Sequence, residues 1–231
     1  MYPSLAVDCT DQISSIAISD GNQVWQVENK TEKRQARKIL SLVEQCLQQA
    51  NIDKSQLKSI CWGAGPGSFT GLRIATAVSQ GLAYALNLPM LRVSSLEALA
   101  VSVSRIHPDL TGSILSVTDA HMGEYYWASF EIRESNMLPQ RLTEDSLSAL
   151  KDIQIPTDIK LVVGNGADKL TLQAGVIEIV ESSLRAEHLF GSAEQLFNNG
   201  QQLTSMQAEP LYLRSKSAWK TLDEQKQGKS G

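Results

Sequence analysis

One stretch gathers the residue types that bind or react: Gly63-Ala64-Gly65-Pro66-Gly67-Ser68-Phe69-Thr70-Gly71-Leu72-Arg73. The apolar run Ile60-Cys61-Trp62 enters it, and a run rich in small apolar residues, Ile74 to Leu86, leaves it. That order reads as strand, glycine loop, helix. Glycines let the backbone turn sharply and come close to another group. Pro66 fixes one dihedral of the turn, and Ser68 or Thr70 can cap the helix. Backbone N–H groups beside a helix N-terminus suit an anion or a tight protein contact. The spacing excludes three familiar chemistries. The loop lacks the Gly-Lys-[Ser/Thr] of a Walker A phosphate loop. Its glycines, at 63, 65, 67 and 71, never give Gly-x-Gly-x-x-Gly. Ser68 is followed by Phe69 and Thr70, so it is not the nucleophile of a Gly-x-Ser-x-Gly elbow. Two readings stay open: a nucleotide cradle at Gly65, Gly67 and Ser68, or a structural turn that aims the next helix.

The other reactive side chains add little. His107, His121 and His188 have no i, i+4 spacing on a helix and no acidic partner in register, so no metal site is expected. Cys9, Cys46 and Cys61 are too few and too scattered for a disulfide framework or a zinc site. They are expected to pack as small hydrophobes. The formal net charge of -4 and the lack of a basic run of useful length make the chain a poor holder of nucleic acid by itself. If RNA is involved, a partner supplies most of the contact. No run reaches membrane-spanning length, and the N-terminus has no positive region of a signal peptide. The expectation is a cytoplasmic protein with no membrane partner.

Around the glycine loop, 231 residues with 42% hydrophobic content allow one large domain or two small lobes. Leu5 to Val7 reads as a buried strand ending at Asp8, followed by the polar turn Cys9 to Gln12. Ile13–Ile18 and Val24–Val27 form a hairpin around Asp20-Gly21-Asn22. A helix spans Glu32 to Ala50, with Ile39, Leu42, Val43, Cys46 and Leu47 on one face. Ser59–Trp62 is the strand before the loop, Thr70–Asn87 the helix after it, and Met90–Val93 a short strand. Ser94-Ser95-Leu96-Glu97 is a capping-box pattern for a helix to about Ile106. His107-Pro108 and Thr111-Gly112 mark a boundary. Ile114 to Val117 is again an apolar strand, closed by Asp119, then a turn, then a β-rich run from Tyr125 to Ile132. Ile159–Val163 runs into Gly164-Asn165-Gly166, with a helix expected beyond, and Arg185–Gly200 reads as another helix.

The second half therefore repeats the plan of the first: strand, Asp, turn, strand, and later strand, glycine loop, helix. Duplicated α/β lobes of this kind occur in the actin-like superfamily, where nucleotide sits between the lobes. The expected fold is thus α/β and actin-like (ASKHA), with two lobes, each a mixed sheet with flanking helices. The N-terminal lobe is 1–108, the C-terminal lobe 109–222 with a last segment that can pack back on the first, and 223–231 a disordered tail. In such a fold Asp8 and Thr10 would sit near the phosphates, positioning a metal-bound water and a phosphate. The bland alternative is a strand end followed by an ordinary polar turn, and that turn lacks the glycine that admits a phosphate.

The helix after the glycine loop is unusually small on several faces, with Gly71, Ala75, Ala77, Ser79, Gly81, Ala83 and Ala85. Such a helix either packs closely on its own sheet or receives a partner's helix. In the second case Arg73, Thr76, Ala77 and Gln80, with Leu42 of the preceding helix, are the expected partner surface.

Three motifs stand in one order: Gly63 to Arg73, Asp119-Ala120-His121-Met122-Gly123-Glu124-Tyr125-Tyr126-Trp127, and Pro210-Leu211-Tyr212-Leu213-Arg214 with Ala218-Trp219-Lys220. Together they resemble the bacterial TsaB (YeaZ) family over nearly the whole chain. The resemblance implies a role in making N6-threonylcarbamoyladenosine in tRNA, beside the anticodon. It implies a non-catalytic subunit that binds and activates a TsaD-like catalytic subunit, alongside a TsaE-like ATPase, and touches tRNA only through the complex. A homodimer in isolation, and ATP or ADP at the interface of the assembled complex, are also implied, with no cofactor for the chain by itself. The chain departs from TsaD, which holds a metal with a His-x-x-x-His pair on its first long helix. Here that helix reads Lys33-Arg34-Gln35-Ala36-Arg37-Lys38-Ile39, which offers no imidazole. The competing readings are a nucleotide-dependent ATPase or kinase using Asp8, Thr10 and the glycine loop, and a glycoprotease-like peptidase.

Overall fold

The structure is a computed structural model, and it describes residues 1–11, 13–29, 35–135, 137–170, 178–180 and 183–214. The apolar runs of the first lobe become β1 (Ser4–Asp8), β2 (Ser14–Ser19), β3 (Val24–Asn29), β4 (Ser59–Gly65) and β5 (Met90–Ser94). The hairpin between β2 and β3 closes as its Asp-Gly-Asn sequence dictates. The Asp20 carboxylate accepts from the N–H groups of Asn22 and Gln23, and Gly21 takes φ +100°. Helix α1 covers Gln35–Ala50 and is closed by Asn51 in the left-handed region. The expected start at Glu32 and the sequence Lys33-Arg34 lie outside the described residues. Helix α2 covers Phe69–Leu86: Ser68 Oγ accepts from Gly71 N–H at its start, and Asn87, at φ 52°, ends it. Helix α3 covers Ser95–Ile106. Its capping box is only half formed. Ser94 Oγ accepts from Glu97 N–H, but the Glu97 carboxylate pairs with Arg141 instead of returning to the cap.

The second lobe holds β6 (Gly112–Asp119), β7 (Glu124–Ile132), β8 (Gln140–Arg141), β9 (Ser146–Ala149), β10 (Ile159–Val163) and β11 (Glu178–Val180). The sheets have orders β3-β2-β1-β4-β5 and β11-β10-β6-β7-β8, with β9 also pairing β7. Each is mixed in the same way. A central strand (β1 or β6) pairs antiparallel with the next strand and parallel with the one that precedes the glycine turn (β4 or β10). The repeat seen as pattern in the sequence is thus a repeat of topology, and the fold is the actin-like one. The helix expected after Gly166 appears only as a 3₁₀ turn, Ala167–Lys169. The helix expected from Arg185 begins as a 3₁₀ turn at Ala186–His188, and α4 runs Leu189–Asn198.

Packing explains why the strands of the first lobe are apolar along their whole length. Residues of α1 and α2 form one core with Leu5, Val7, Ile16, Ile18, Ile60 and Trp62. On the opposite face, Ala6, Ala17, Cys61, Leu91 and Val93 share a second core with α3, α4 and the second sheet's Ile114, Ala128 and Phe130. β1 therefore has water on neither face, and all five of its residues are buried. The three free cysteines are all buried in these layers.

After β11 the chain returns to the first lobe. Ala186 N–H donates to Ser15 Oγ at 2.8 Å, Glu187 N–H to Gln26 Oε1 at 3.0 Å, and Arg185 pairs with Glu28 at 2.6 Å. Met90 and Leu203 exchange backbone hydrogen bonds, and Leu211 N–H donates to Ala64 O at 2.7 Å.

Candidate functional site: the interlobe cleft and the exposed face of helix α2

The described parts of the three sequence motifs meet at one place; Ala218-Trp219-Lys220 and the expected tail 223–231 lie outside the described residues. A cleft of about 800 Å³ between the lobes is lined by the β1–β2 turn, the glycine loop, the β6–β7 turn, Asn165 and the segment Leu211–Arg214. Its walls are largely apolar, with Leu72, Leu99, Tyr126 and Leu211 among them. The turns touch across it where Asn165 Nδ2 donates to Asp11 Oδ1 at 3.2 Å. Asn165 Oδ1 in turn accepts from Asp119 N–H at 2.8 Å.

The glycine loop folds onto its own chain. A Cβ added at Gly63 would lie 2.1 Å from Asp8 Oδ1, at Gly67 2.4 Å from Thr10 O, and at Gly71 1.7 Å from Cys9 O. Ser68 N–H donates to Thr10 O at 2.8 Å. The freed space is thus occupied by the β1–β2 turn, which sits where a phosphate would have to approach. Gly65 takes φ +109° and lies against Leu72 and Leu211, so it makes the bend that turns β4 into α2. The second lobe repeats the device: a Cβ at Gly164, whose φ is +119°, would lie 2.2 Å from Val117 O.

Asp8 has no exposed surface. Its Oδ1 accepts from Thr10 Oγ1 at 2.8 Å, Thr10 Oγ1 receives Ser95 Oγ at 3.2 Å, and Asp8 Oδ2 has no hydrogen-bond partner among the described residues. Burial pushes the carboxyl up from 3.8 to about 7. The Thr10 hydroxyl opposes that rise and Asp11 adds to it. A carboxyl that is sealed and half-protonated at neutral pH is poorly suited to holding a metal-bound water. Of the residues placed near a nucleotide by sequence, Thr10, Gly67 and Ser68 line the cleft, while Asp8 does not. Among the described residues no three His, Cys, Asp or Glu side chains come together to hold a metal ion. His188 is held neutral, its pKa lowered to about 4 by burial and then by Arg185 and Arg105.

The proposed partner residues divide sharply. Arg73 is exposed, with its guanidinium 3.8 Å from the centre of the Phe69 ring and its Nε donating to Tyr212 Oη at 3.2 Å. Ala77 is exposed. Leu42, only 9% exposed, and Thr76, only 5%, belong to the chain's own interior and present a partner with almost no side chain. Gln80 is half-buried and spends its amide on the carbonyls of Ser205 and Ala208, at 3.0 and 2.8 Å. The outward face of α2 instead runs Thr70, Arg73, Ala77, Gly81, Tyr84 and Ala85, flanked by half-buried Ile74, Val78 and Leu82. A Cβ at Gly81 would meet nothing within 4 Å, so its smallness serves no packing among the described residues. Tyr84, 76% exposed, and Met206 were missed by sequence reasoning. Tyr84 sits one helical turn on from Gln80 and Gly81, a spacing that could have found it.

Known proteins similar to this chain point to one family. The family model for TsaD, tRNA N6-adenosine threonylcarbamoyltransferase, matches residues 27–174. The chain is 30% identical over 228 residues to the Escherichia coli protein "tRNA threonylcarbamoyladenosine biosynthesis protein TsaB", covering 94% of this chain and 97% of that one. It is 24% identical to the Haemophilus influenzae protein of the same name, covering 94% and 96%. Among solved structures, YeaZ from Pseudomonas aeruginosa superposes with a TM-score of 0.79 at 28% identity, covering 91% of this chain and 99% of that one. Another Pseudomonas aeruginosa structure, described as an uncharacterized protein with similarity to peptidase YEAZ, gives a TM-score of 0.82 at 26% identity, covering 93% and 100%. With its duplicated actin-like lobes and its three motifs joined at one cleft, the chain belongs to the TsaB (YeaZ) family of tRNA threonylcarbamoyladenosine biosynthesis proteins.

Proposed function

We propose that this chain is a non-catalytic subunit that binds and activates a TsaD-like catalytic subunit in forming N6-threonylcarbamoyladenosine in tRNA. One observation carries the reading: the glycine loop is filled by the chain's own β1–β2 turn, while the helix it launches exposes the small residues Ala77, Gly81 and Ala85 between Arg73 and Tyr84. Small residues let a second helix approach closely. The half-buried flanks Ile74, Val78 and Leu82 supply apolar surface to such a contact. The kinase or ATPase reading loses its phosphate cradle at Gly67 and Gly71, because a phosphate there would displace Thr10 and Cys9 backbone.

The same face accounts for pairing of the chain with itself when the partner is absent. The chain by itself takes no cofactor, and ATP or ADP would bind where α2 meets the partner. A TsaE-like ATPase joins that assembly, and tRNA is reached only through it. The net charge of -4 disfavours RNA binding by the chain itself. No helix among the described residues is long and apolar enough to cross a membrane. A role in tRNA modification supports a cytoplasmic location. The test is to mix the chain with its host's TsaD-like protein and assay tRNA modification with and without it. Modification that needs the chain, with no ATP hydrolysis by the chain alone, supports the reading. ATP hydrolysis by the chain alone, abolished by Asp8→Ala, would overturn it.

A further inference from the structure

Residues Pro210–Arg214 lie at the cleft mouth and are tied to both lobes. On the first lobe, Leu211 N–H donates to Ala64 O at 2.7 Å. The Tyr212 ring packs 5.7 Å from that of Phe69, and its hydroxyl accepts from Arg73, both on the first turns of α2. Leu213 packs against the central core. On the second lobe, Arg214 donates to Glu124 Oε2 at 2.5 Å and to the His121 carbonyl at 3.4 Å, and touches Met122 Sδ at 3.7 Å. The Arg214 side chain is 9% exposed and that of Glu124 41%.

The turn that Arg214 grips is strained. His121, Met122 and Gly123 are all left-handed, at φ 62°, 60° and 78°. Only the last lacks the Cβ that disfavours this region. Met122 is 81% exposed, so no burial of its side chain compensates. The turn is closed by its own backbone, with Ala120 N–H donating to Glu124 O at 3.0 Å and Glu124 N–H to His121 O at 3.2 Å, and by Asp119 Oδ1, which accepts from His121 N–H at 2.7 Å; Arg214 binds from the other side.

We propose that Pro210–Arg214 is an interlobe strap and that Arg214 is its releasable clasp. It holds the strained 119–124 turn in its cleft-facing shape while Tyr212 anchors the other end to α2. The partly exposed Glu124 carboxylate makes the clasp breakable, and strain in the turn favours its release. A surface that engages Arg73 competes with the Tyr212 hydroxyl for its guanidinium, so occupancy of α2 is coupled to the strap's anchor there. That coupling rests on the partner reading above; the clasp itself does not.

The test is amide hydrogen exchange on the full chain, alone in solution. Arg214→Ala and the shape-conserving Glu124→Gln should each speed exchange at Leu211 and across 120–124 about tenfold, the scale of losing one charge-assisted hydrogen bond. Exchange in β1 and β4 should stay unchanged. The swap Arg214→Glu with Glu124→Arg should bring the rates back to within about threefold of the parent. Met122→Gly, which relieves the strain, should restore protection of the turn in the Arg214→Ala background. Unchanged exchange in both single variants, or a swap that restores nothing, would overturn the proposal. Because no partner is present in this measurement, it can succeed or fail independently of TsaD binding.

Discussion

Gly63 stands beside Asp8 across the parallel pair of β1 and β4, and the Asp8 carboxyl fills the space a side chain there would need. The gap from Asp8 Oδ1 to a Cβ at position 63 would be 2.1 Å. Adding that carbon forces either the carboxyl or the strand pair to move. Gly63→Ala is expected to destabilise the chain by about 1–3 kcal/mol, the usual cost of overpacking. In the background of Asp8→Ala the same change should cost less, because its obstacle is gone. Urea denaturation of the four proteins measures the coupling, and strictly additive losses would contradict the packing described here.

The buried Asp8 carboxyl also sets a pH dependence. Its pKa rises from 3.8 to about 7 on folding, mainly through burial. Between those values the folded chain keeps a proton that the unfolded chain has released. Stability from this group is therefore fully present below about 3.8 and is lost as pH rises through about 7. Asp8→Asn removes the titration. The variant should melt several degrees above the parent at pH 8 and show no such advantage at pH 4. Thermal melts across this range check the prediction, and an advantage equal at both pH values would exclude the Asp8 titration as its cause.

Two glycines of one helix should respond oppositely to the same change. A Cβ at Gly71 would lie 1.7 Å from the Cys9 carbonyl oxygen, which is backbone and cannot swing away. A Cβ at Gly81 meets nothing within 4 Å. Gly71→Ala should lower the melting temperature strongly or prevent folding. Gly81→Ala should stabilise the isolated chain by about 0.5–1 kcal/mol, as alanine is the better helix former. Calorimetry of the two variants decides the matter.

Much of this was legible in the sequence. Strands β1, β4, β6 and β10 are apolar runs bounded by Asp or Gly, and they fold as such because both faces of their sheets are covered. The ends of α2 fell within a residue, since Ser68 and Asn87 carry the capping chemistry themselves. Strands β8 and β9 were missed. They are short and largely polar, and they exist because β7 offers an edge and Arg141 bridges Glu97 and Asp145. The partner face was only partly legible. Periodicity marks a stripe on α2, but Gln80 is covered by Ser205–Ala208, which arrives from over a hundred residues away with no local signal. A glycine loop likewise reads the same whether a phosphate or the chain's own backbone fills it. Only the position of Cys9 and Thr10 distinguishes the two.

The central claim is that the outward face of α2 receives the catalytic subunit. Ala77 lies at the middle of that face and is exposed. Ala77→Glu should therefore melt like the parent. Its affinity for the host's TsaD-like protein should fall about thirtyfold or more, since a charge would be buried there unpaired. Size-exclusion chromatography of the mixture reads this directly. A variant that folds normally and no longer co-elutes with the TsaD-like protein is the predicted result; undiminished co-elution would contradict the assignment.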